Sequence, residues 1–322
     1  MKNRKTNSDP TLIADIGGTN ARFAVAQGGQ IAGEVMVLAC QDYEDLASAT
    51  NAFLHSVDEA HRPRRGMIAV AAPVFGESIQ LTNLNWAFSR DQLRQDLQMD
   101  ALNIINDFTA ITWAVPRLQE SERRQIGPGQ ARSGAPIVII GPGSGLGVAA
   151  LIPLSNGWTA LPTEGGHVTM AASNAMEDKV LDILRQKFGH VSAERVLSGP
   201  GLVNIYTAII KVAGQPFERL SPEQLTAQAL AQPESQAAKA LEMFFAFLGT
   251  AASNAALSLD AHGGVYIAGG IVAKLDDAIS ASRFRQRFET KGRFSGYLSP
   301  IPTFVIDHPY VALAGLAAGP LA

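Results

Sequence analysis

Hydrophobic and polar positions in the first third of the chain follow two distinct periods. Leu12-Ile13 and Phe23-Ala24-Val25-Ala26 flank Ala14-Asp15-Ile16-Gly17-Gly18-Thr19-Asn20, the pattern of two short strands joined by a glycine turn. Ile31 to Leu38 reads as a third strand. Asp42 then opens a helix that sets Leu46, Phe53, Leu54 and Val57 on one face. Gly66 to Ala72 is a short apolar run of the buried-strand type. Ser89, with Gln92 three residues on, is a capping box for a helix carrying Leu93 and Leu97. Leu102 to Ile105 is another buried strand, ending on Asn106-Asp107, and a helix from Phe108 to about Val115 is stopped by Pro116. The order strand, strand, strand, helix, strand, helix predicts an α/β domain with a mixed sheet.

Gln125 to Pro136 reads as a connector into a second region. That region holds strands at Ile137 to Ile140 and Gly147 to Ile152. Helix starts fall at Asn174 (with Glu177 three residues on), at Ser192, after Pro200, at Ser221 with Pro222 as first helical residue, and near Ser235. Gly264 to Ala268 returns to strand and ends on Gly269-Gly270. Tyr310 to Ala318 is a small-residue apolar helix suited to pack back on the first domain. The chain carries no repeat of solenoid period and no low-complexity segment.

Composition narrows the class. A length of 322 residues exceeds the usual single core, so two domains are expected. With 47% hydrophobic and 17% charged residues the chain is globular and soluble rather than disordered or fibrous. A net charge of −3 leaves no electrostatic footprint for nucleic acid or an anionic membrane. Lys2, Arg4 and Lys5 are not followed by an apolar signal region, and no run approaches membrane-spanning length, so a cytoplasmic protein is expected. Cys40, the only cysteine, excludes an internal disulfide and any multi-cysteine zinc site and is expected to pack rather than react.

Three glycine clusters carry candidate chemistry. At Gly17-Gly18 the bare backbone can approach a phosphate; Asp15 beside it suits a magnesium ion, and Thr19 and Asn20 add hydrogen-bonding groups. A purely structural hairpin fits the same residues. Gly141-Pro142-Gly143-Ser144-Gly145-Leu146-Gly147 follows a strand but is neither a Walker A loop nor a dinucleotide fingerprint. It reads as a second hairpin turn with exposed amides and the Ser144 hydroxyl at its centre. Two such hairpins, each opening a domain, are better explained as a two-sided phosphate clamp than as two coincidental turns. Gly269-Gly270, at the carboxyl end of a strand, offers a surface for adenine or ribose, or close helix–strand packing.

Asp107 at a strand end is rigidly presented, as a general base for a hydroxyl must be, and also suits the helix N-cap. Glu164-Gly165-Gly166-His167 has metal-ligand spacing, but two central glycines argue against the helix such a site needs. Glu164 and His167 are therefore read as loop groups suited to the hydroxyls of a polyol. Glu194, in Ser192-Ala193-Glu194-Arg195, reads as a charge in the first turn of a helix. His55, His61, His190, His262 and His308 lack paired carboxylates at useful spacing and are read as structural or exposed.

Taken in order, ADIGGTNARFAVA from Ala14, NWAFS from Asn85, INDFTA from Ile105, GPGSGLGVA from Gly141, LPTEGGHV from Leu161, GHVSAERVLSGPGLVNIY from Gly189 and VYIAGGIV from Val265 closely resemble the ATP-dependent bacterial glucokinase family. The resemblance runs from about residue 12 to the carboxyl end. It implies a two-domain actin-like ATPase fold, ribonuclease H-like, with mixed sheets and an interdomain cleft. Residues 1–116 and 307–322 form the expected small domain, and 117–306 the large one. The first phosphate motif is matched by Ala14, Asp15, Ile16, Gly17, Gly18 and Thr19, the second by Gly143, Ser144 and Gly145, and the adenosine motif by Gly269 and Gly270. Asn106, Asp107, Glu164, His167 and Glu194 match residues that hold glucose, with Asp107 also the catalytic base and Asp15 the group that places Mg²⁺.

Ala14 stands where many members have glycine, Ser144 where threonine is common, and Thr163 where glycine is common; each keeps a small side chain or a hydroxyl. The cysteine cluster of the zinc-containing repressor-and-kinase branch is missing. The implied activity is transfer of the γ-phosphoryl group of ATP to the 6-hydroxyl of glucose, with ATP as co-substrate, Mg²⁺ as cofactor and a homodimer as the assembly. Kinases of another hexose and a weakly catalytic glucose sensor remain open alternatives.

Overall fold

The apolar run Thr11–Ile16 forms β1, the middle strand of a five-stranded sheet, and only Asp15 in it escapes full burial. A computed structural model of the chain describes residues 9–81 and 84–320. It divides into two units, one through Leu118 together with the residues from His308, the other Gln119–Asp307. In the first unit β1 pairs antiparallel with β2 (Asn20–Gln27), and β2 with β3 (Gln30–Ala39). On its other side β1 pairs parallel with β4 (Arg65–Val70). Strands β5 (Ser78–Gln80) and β6 (Ala87–Ser89) form a separate hairpin, and β7 (Ala101–Asn106) pairs parallel with β4, giving the order β3-β2-β1-β4-β7.

The second unit repeats this arrangement. Strand β8 (Arg123–Ile126) is an edge; β9 (Ile137–Pro142), β10 (Leu146–Leu154) and β11 (Gly157–Thr163) form an antiparallel run. Strands β12 (Val265–Ile267) and β13 (Thr303–Ile306) then add parallel to β9 and to each other. The order β11-β10-β9-β12-β13 matches β3-β2-β1-β4-β7 strand for strand and direction for direction, with β8 added antiparallel to β13. A glycine turn joins β1 to β2 in the first unit and β9 to β10 in the second. Parallel strands buried on both faces need near-continuous apolar runs, which is what β4 and β9 show.

Helices fill the faces. Phe53 of the helix Leu46–Ser56 stacks on Phe23 of β2, centroids 5.5 Å apart. The tail helix Val311–Ala318 packs on the helix Asp107–Ala114 within the same unit. In the second unit the helices Gly199–Ala213 and Gln236–Leu259 bury Ile205, Tyr206, Phe244 and Phe247 against the sheet. Arg287 grips the buried Glu177 through contacts of 2.6 and 3.1 Å. Glu177 also accepts from Ser173 N and Asn174 Nδ2, each at 2.7 Å, so both carboxylate oxygens are hydrogen-bonded more than once.

Several expectations are corrected. The first helix begins at Leu46, capped by Asp45, whose carboxylate accepts from Ser48 N; Asp42 lies in a preceding 3₁₀ turn. Ser89 caps its helix, but the Gln92 side chain turns to Asp96 and the box is only half made. Strand β7 is an edge strand with Ile104 as its one fully buried residue. Part of the expected connector is strand β8, and β11, which ends on Leu161-Pro162-Thr163, is not anticipated by the sequence pattern. The start at Ser192 is one 3₁₀ turn, Ala193–Arg195, not a helix. Among the described residues one helix, Gln236–Leu259, is long and apolar enough to cross a membrane, a length the sequence reading missed; it is mostly buried, as a core helix is.

Candidate active site

Parallel pairing sets Ile16, Val70 and Asn106 in one row across β1, β4 and β7. Asp15 and Asp107 therefore emerge at the same end of the first unit's sheet. Asn106 caps the helix that follows: its Oδ1 accepts from Phe108 N at 2.9 Å and Thr109 N at 3.3 Å. Its amide donates to Ala72 O at 3.4 Å. The cap is thus Asn106 and not Asp107, which becomes the first helical residue and accepts from Phe108 N at 2.9 Å through Oδ1. Burial foremost, and then the negative charge of Asp15, push the Asp107 carboxyl up to about 7, against the pull of its hydrogen bonds.

Asp15 is itself raised by burial, although Arg22 Nη1 lies 3.2 Å from its Oδ2 and pulls the other way. Arg22 is the cross-strand partner of Asp15 across the β1–β2 turn. That turn is closed by Gly17 N donating to Asn20 O at 3.0 Å, and it leaves Gly18 and Thr19 exposed. Ala14 and Ile16 bury their side chains in the core, so only their backbone can serve a ligand. Cys40 is buried, as its packing role requires, and also ties the turn down: its N–H donates to Thr19 O at 2.8 Å and its thiol to Gly17 O at 3.6 Å.

In the second unit the strand runs on to Pro142 and resumes at Leu146, so the turn shortens to Gly143-Ser144-Gly145, closed by Gly143 N donating to Gly145 O at 2.8 Å. Ser144 is exposed at its tip. Glu194 reaches back to this turn and accepts from Leu146 N at 3.0 Å through Oε2. Glu164 precedes a 3₁₀ turn, Gly165–His167, that His167 ends, and the two side chains face one another, Oε2 to Nε2 3.8 Å, both half-exposed. Among the described residues no group of three or more acids, histidines or cysteines could hold a metal ion. Gly269 has φ +96°, and a Cβ there would lie 2.5 Å from Pro142 O, so only glycine lets the third cluster close on the second. Gly270 is exposed at the start of a short helix, Gly270–Ala273.

The first unit thus groups Asp15, Gly17, Gly18, Thr19, Asn106 and Asp107; the second groups Gly143, Ser144, Gly145, Glu164, His167, Glu194, Gly269 and Gly270. Sequence reasoning missed Arg22 and the Leu146 amide. Arg22 had a usable signal, since a short turn after Asp15 makes residue 22 a cross-strand neighbour. The Leu146 contact spans 48 residues and had none.

Two mixed sheets of matching topology, with glycine turns joining β1 to β2 and β9 to β10, define the actin-like ATPase fold of sugar kinases. The correspondence extends along the sequence. The model of the glucokinase family matches residues 12–320, and the chain belongs to that family. It is 47% identical over 317 residues to a glucokinase of Paramagnetospirillum magneticum, covering 97% of this chain and 99% of that one. The crystal structure of a glucokinase from an Antarctic psychrotroph superposes with a TM-score of 0.86 at 35% identity, over 96% of this chain and 98% of that one. A ROK family glucokinase from Streptomyces griseus, solved with glucose and AMPPNP, shares the fold at a TM-score of 0.63 and 17% identity, over 96% of this chain and 98% of that one.

Proposed function

We infer that the chain is an ATP-dependent hexose kinase that transfers the γ-phosphoryl group of ATP to the 6-hydroxyl of glucose. The observation that carries this reading is the Asp107 carboxyl, fixed at the start of a helix and pushed up to about 7. A base of that strength is matched to a hydroxyl proton near neutral pH, where Brønsted efficiency and the ionised fraction are best balanced. As the sugar oxygen bonds to the γ-phosphorus, its proton passes to Asp107. The bond from phosphorus to the bridging oxygen breaks, and ADP leaves.

Glucose hydroxyls are assigned to Asn106, Asp107, Glu164, His167 and Glu194. The backbone of residues 14–19 and of Gly143-Ser144-Gly145 is assigned to the phosphates, and Gly269-Gly270 to the adenosine. Two neighbouring carboxylates, both held above their ordinary range by burial, suit a hard divalent cation that brings most of its ligands as water and phosphate oxygen. Asp15 is therefore the residue assigned to Mg²⁺, which when bound offsets charge on the transferring group. A cytoplasmic homodimer belongs to the same proposal.

The test is ADP formation in a coupled assay with glucose, mannose, fructose and glucosamine as acceptors. The expected result is the highest kcat/KM for glucose. A higher value for another hexose reassigns the substrate, and no ADP with any of them removes the kinase reading in favour of a sugar sensor.

A further inference from the structure

Both segments assigned to the sugar in the second unit are seated on a single residue, Leu146, the first of β10 after the glycine turn. The Leu146 N–H donates to Glu194 Oε2 at 3.0 Å. The carbonyl of the same residue faces Gly166, where a Cβ would lie 2.1 Å from Leu146 O. The turn carrying Glu164 and His167 therefore rests directly on the Leu146 backbone, and only a residue without a side chain fits there. Gly145 supplies the remaining clearance: a Cβ on it would lie 2.5 Å from Glu194 Oε2 and meets no backbone within 4 Å.

The backbone around Glu194 is fixed independently of its carboxylate. Ser198 Oγ donates to Glu194 O at 2.9 Å, and Gly199 N donates to Gly143 O at 2.9 Å. With the main chain held at both ends, the direction of the carboxylate is left to its side-chain torsions and to the one amide it meets. A carboxylate has two oxygens, and the amide occupies Oε2, leaving Oε1 free to accept from a hydroxyl.

We propose that Gly145 and the Leu146 amide are positioning groups for sugar recognition: the glycine turn assigned to phosphate also aims the Glu194 carboxylate. This rests on the assignment of Glu194 to glucose made above. Gly145 is not among the glycines of positive φ, so an alanine there fits the backbone and collides with the carboxylate alone.

The experiment is calorimetric titration of glucose into the nucleotide-free protein, for the wild type, Gly145→Ala, Glu194→Ala and the double variant. Gly145→Ala is expected to weaken glucose binding at least about tenfold, a factor typical of losing one well-placed polar contact, and to add nothing in the Glu194→Ala background. Unchanged affinity in Gly145→Ala overturns the proposal. So does the same fold-loss in both backgrounds, because the alanine then acts through the turn itself. A wild type that binds no glucose removes the functional reading and this proposal together, whereas glucose binding with additive losses removes only the proposal. Amide NMR of the sugar-free protein covers a Gly145→Ala variant that does not fold: in Glu194→Gln the Leu146 proton resonance moves upfield as a charged acceptor is replaced by a neutral one. An unmoved resonance overturns the contact.

Discussion

Asp107→Asn should slow catalysis by orders of magnitude and yet stabilise the protein, increasingly so as pH rises. The carboxyl titrates at about 7 in the folded chain, against an ordinary value of 3.8. The folded state therefore holds this proton more tightly than the unfolded state, and stability contributed by the neutral group is lost as pH climbs from about 4 to about 7. One pK unit corresponds to about 1.36 kcal/mol. Relative to a group that stays neutral, Asp107 thus lowers the stability of the folded protein by about 2 kcal/mol at pH 5 and by about 4 kcal/mol at pH 8. Asparagine has the same shape, keeps an oxygen for the Phe108 N–H, and removes the titration altogether.

The assay is urea denaturation of wild type and Asp107→Asn without nucleotide or divalent cation, at both pH values. The stability difference should favour the variant by about 2 kcal/mol more at pH 8 than at pH 5. Turnover should fall by about 10²- to 10⁴-fold while glucose still binds. A stability difference that is equal at the two pH values would refute the reasoning, because neither burial nor Asp15 would then be acting on this carboxyl.

Two further outcomes concern the scaffold. Gly315→Ala would set a Cβ 1.8 Å from Ala110 O, between two helix backbones that cannot both stay in place; the expected loss is about 1–3 kcal/mol by denaturant titration, with turnover falling as the helix that begins at Asp107 shifts. Arg287→Met leaves Glu177, 2% exposed, without its counter-charge; it should cost about 3–5 kcal/mol, and adding Glu177→Gln should recover part of that.

Much of this architecture is legible in local sequence. Asn174, Ser221 and Ser235 each cap the helix their neighbours predict, because a cap depends on residues only three or four positions apart. Elements set by distant partners were less legible. Strand β11 lies at a sheet edge with its side chains largely exposed, so it lacks the apolar run that marks β9, and its place is set by pairing with β10. Asp45 displaces Asp42 as a helix start because its carboxylate meets an amide in the folded turn, which composition cannot distinguish. Glu194 read as a helix charge because nothing near it in sequence shows that its partner is an amide 48 positions earlier.

Ordered motifs placed the chain in its family and nominated Asp15, Asn106, Asp107, Glu164, His167 and Glu194, since residue type and local spacing survive without a fold. Asp107's neighbourhood is another matter. The carboxyl becomes a base of about 7 only because parallel pairing of β1, β4 and β7 brings Asp15 to the same sheet end and burial excludes water. The duplicated strand order is likewise invisible along the chain, because the two halves share hydrogen-bond topology and not residues. Ionisation and strand order are properties of contacts between segments far apart in sequence, and only the folded chain makes those contacts.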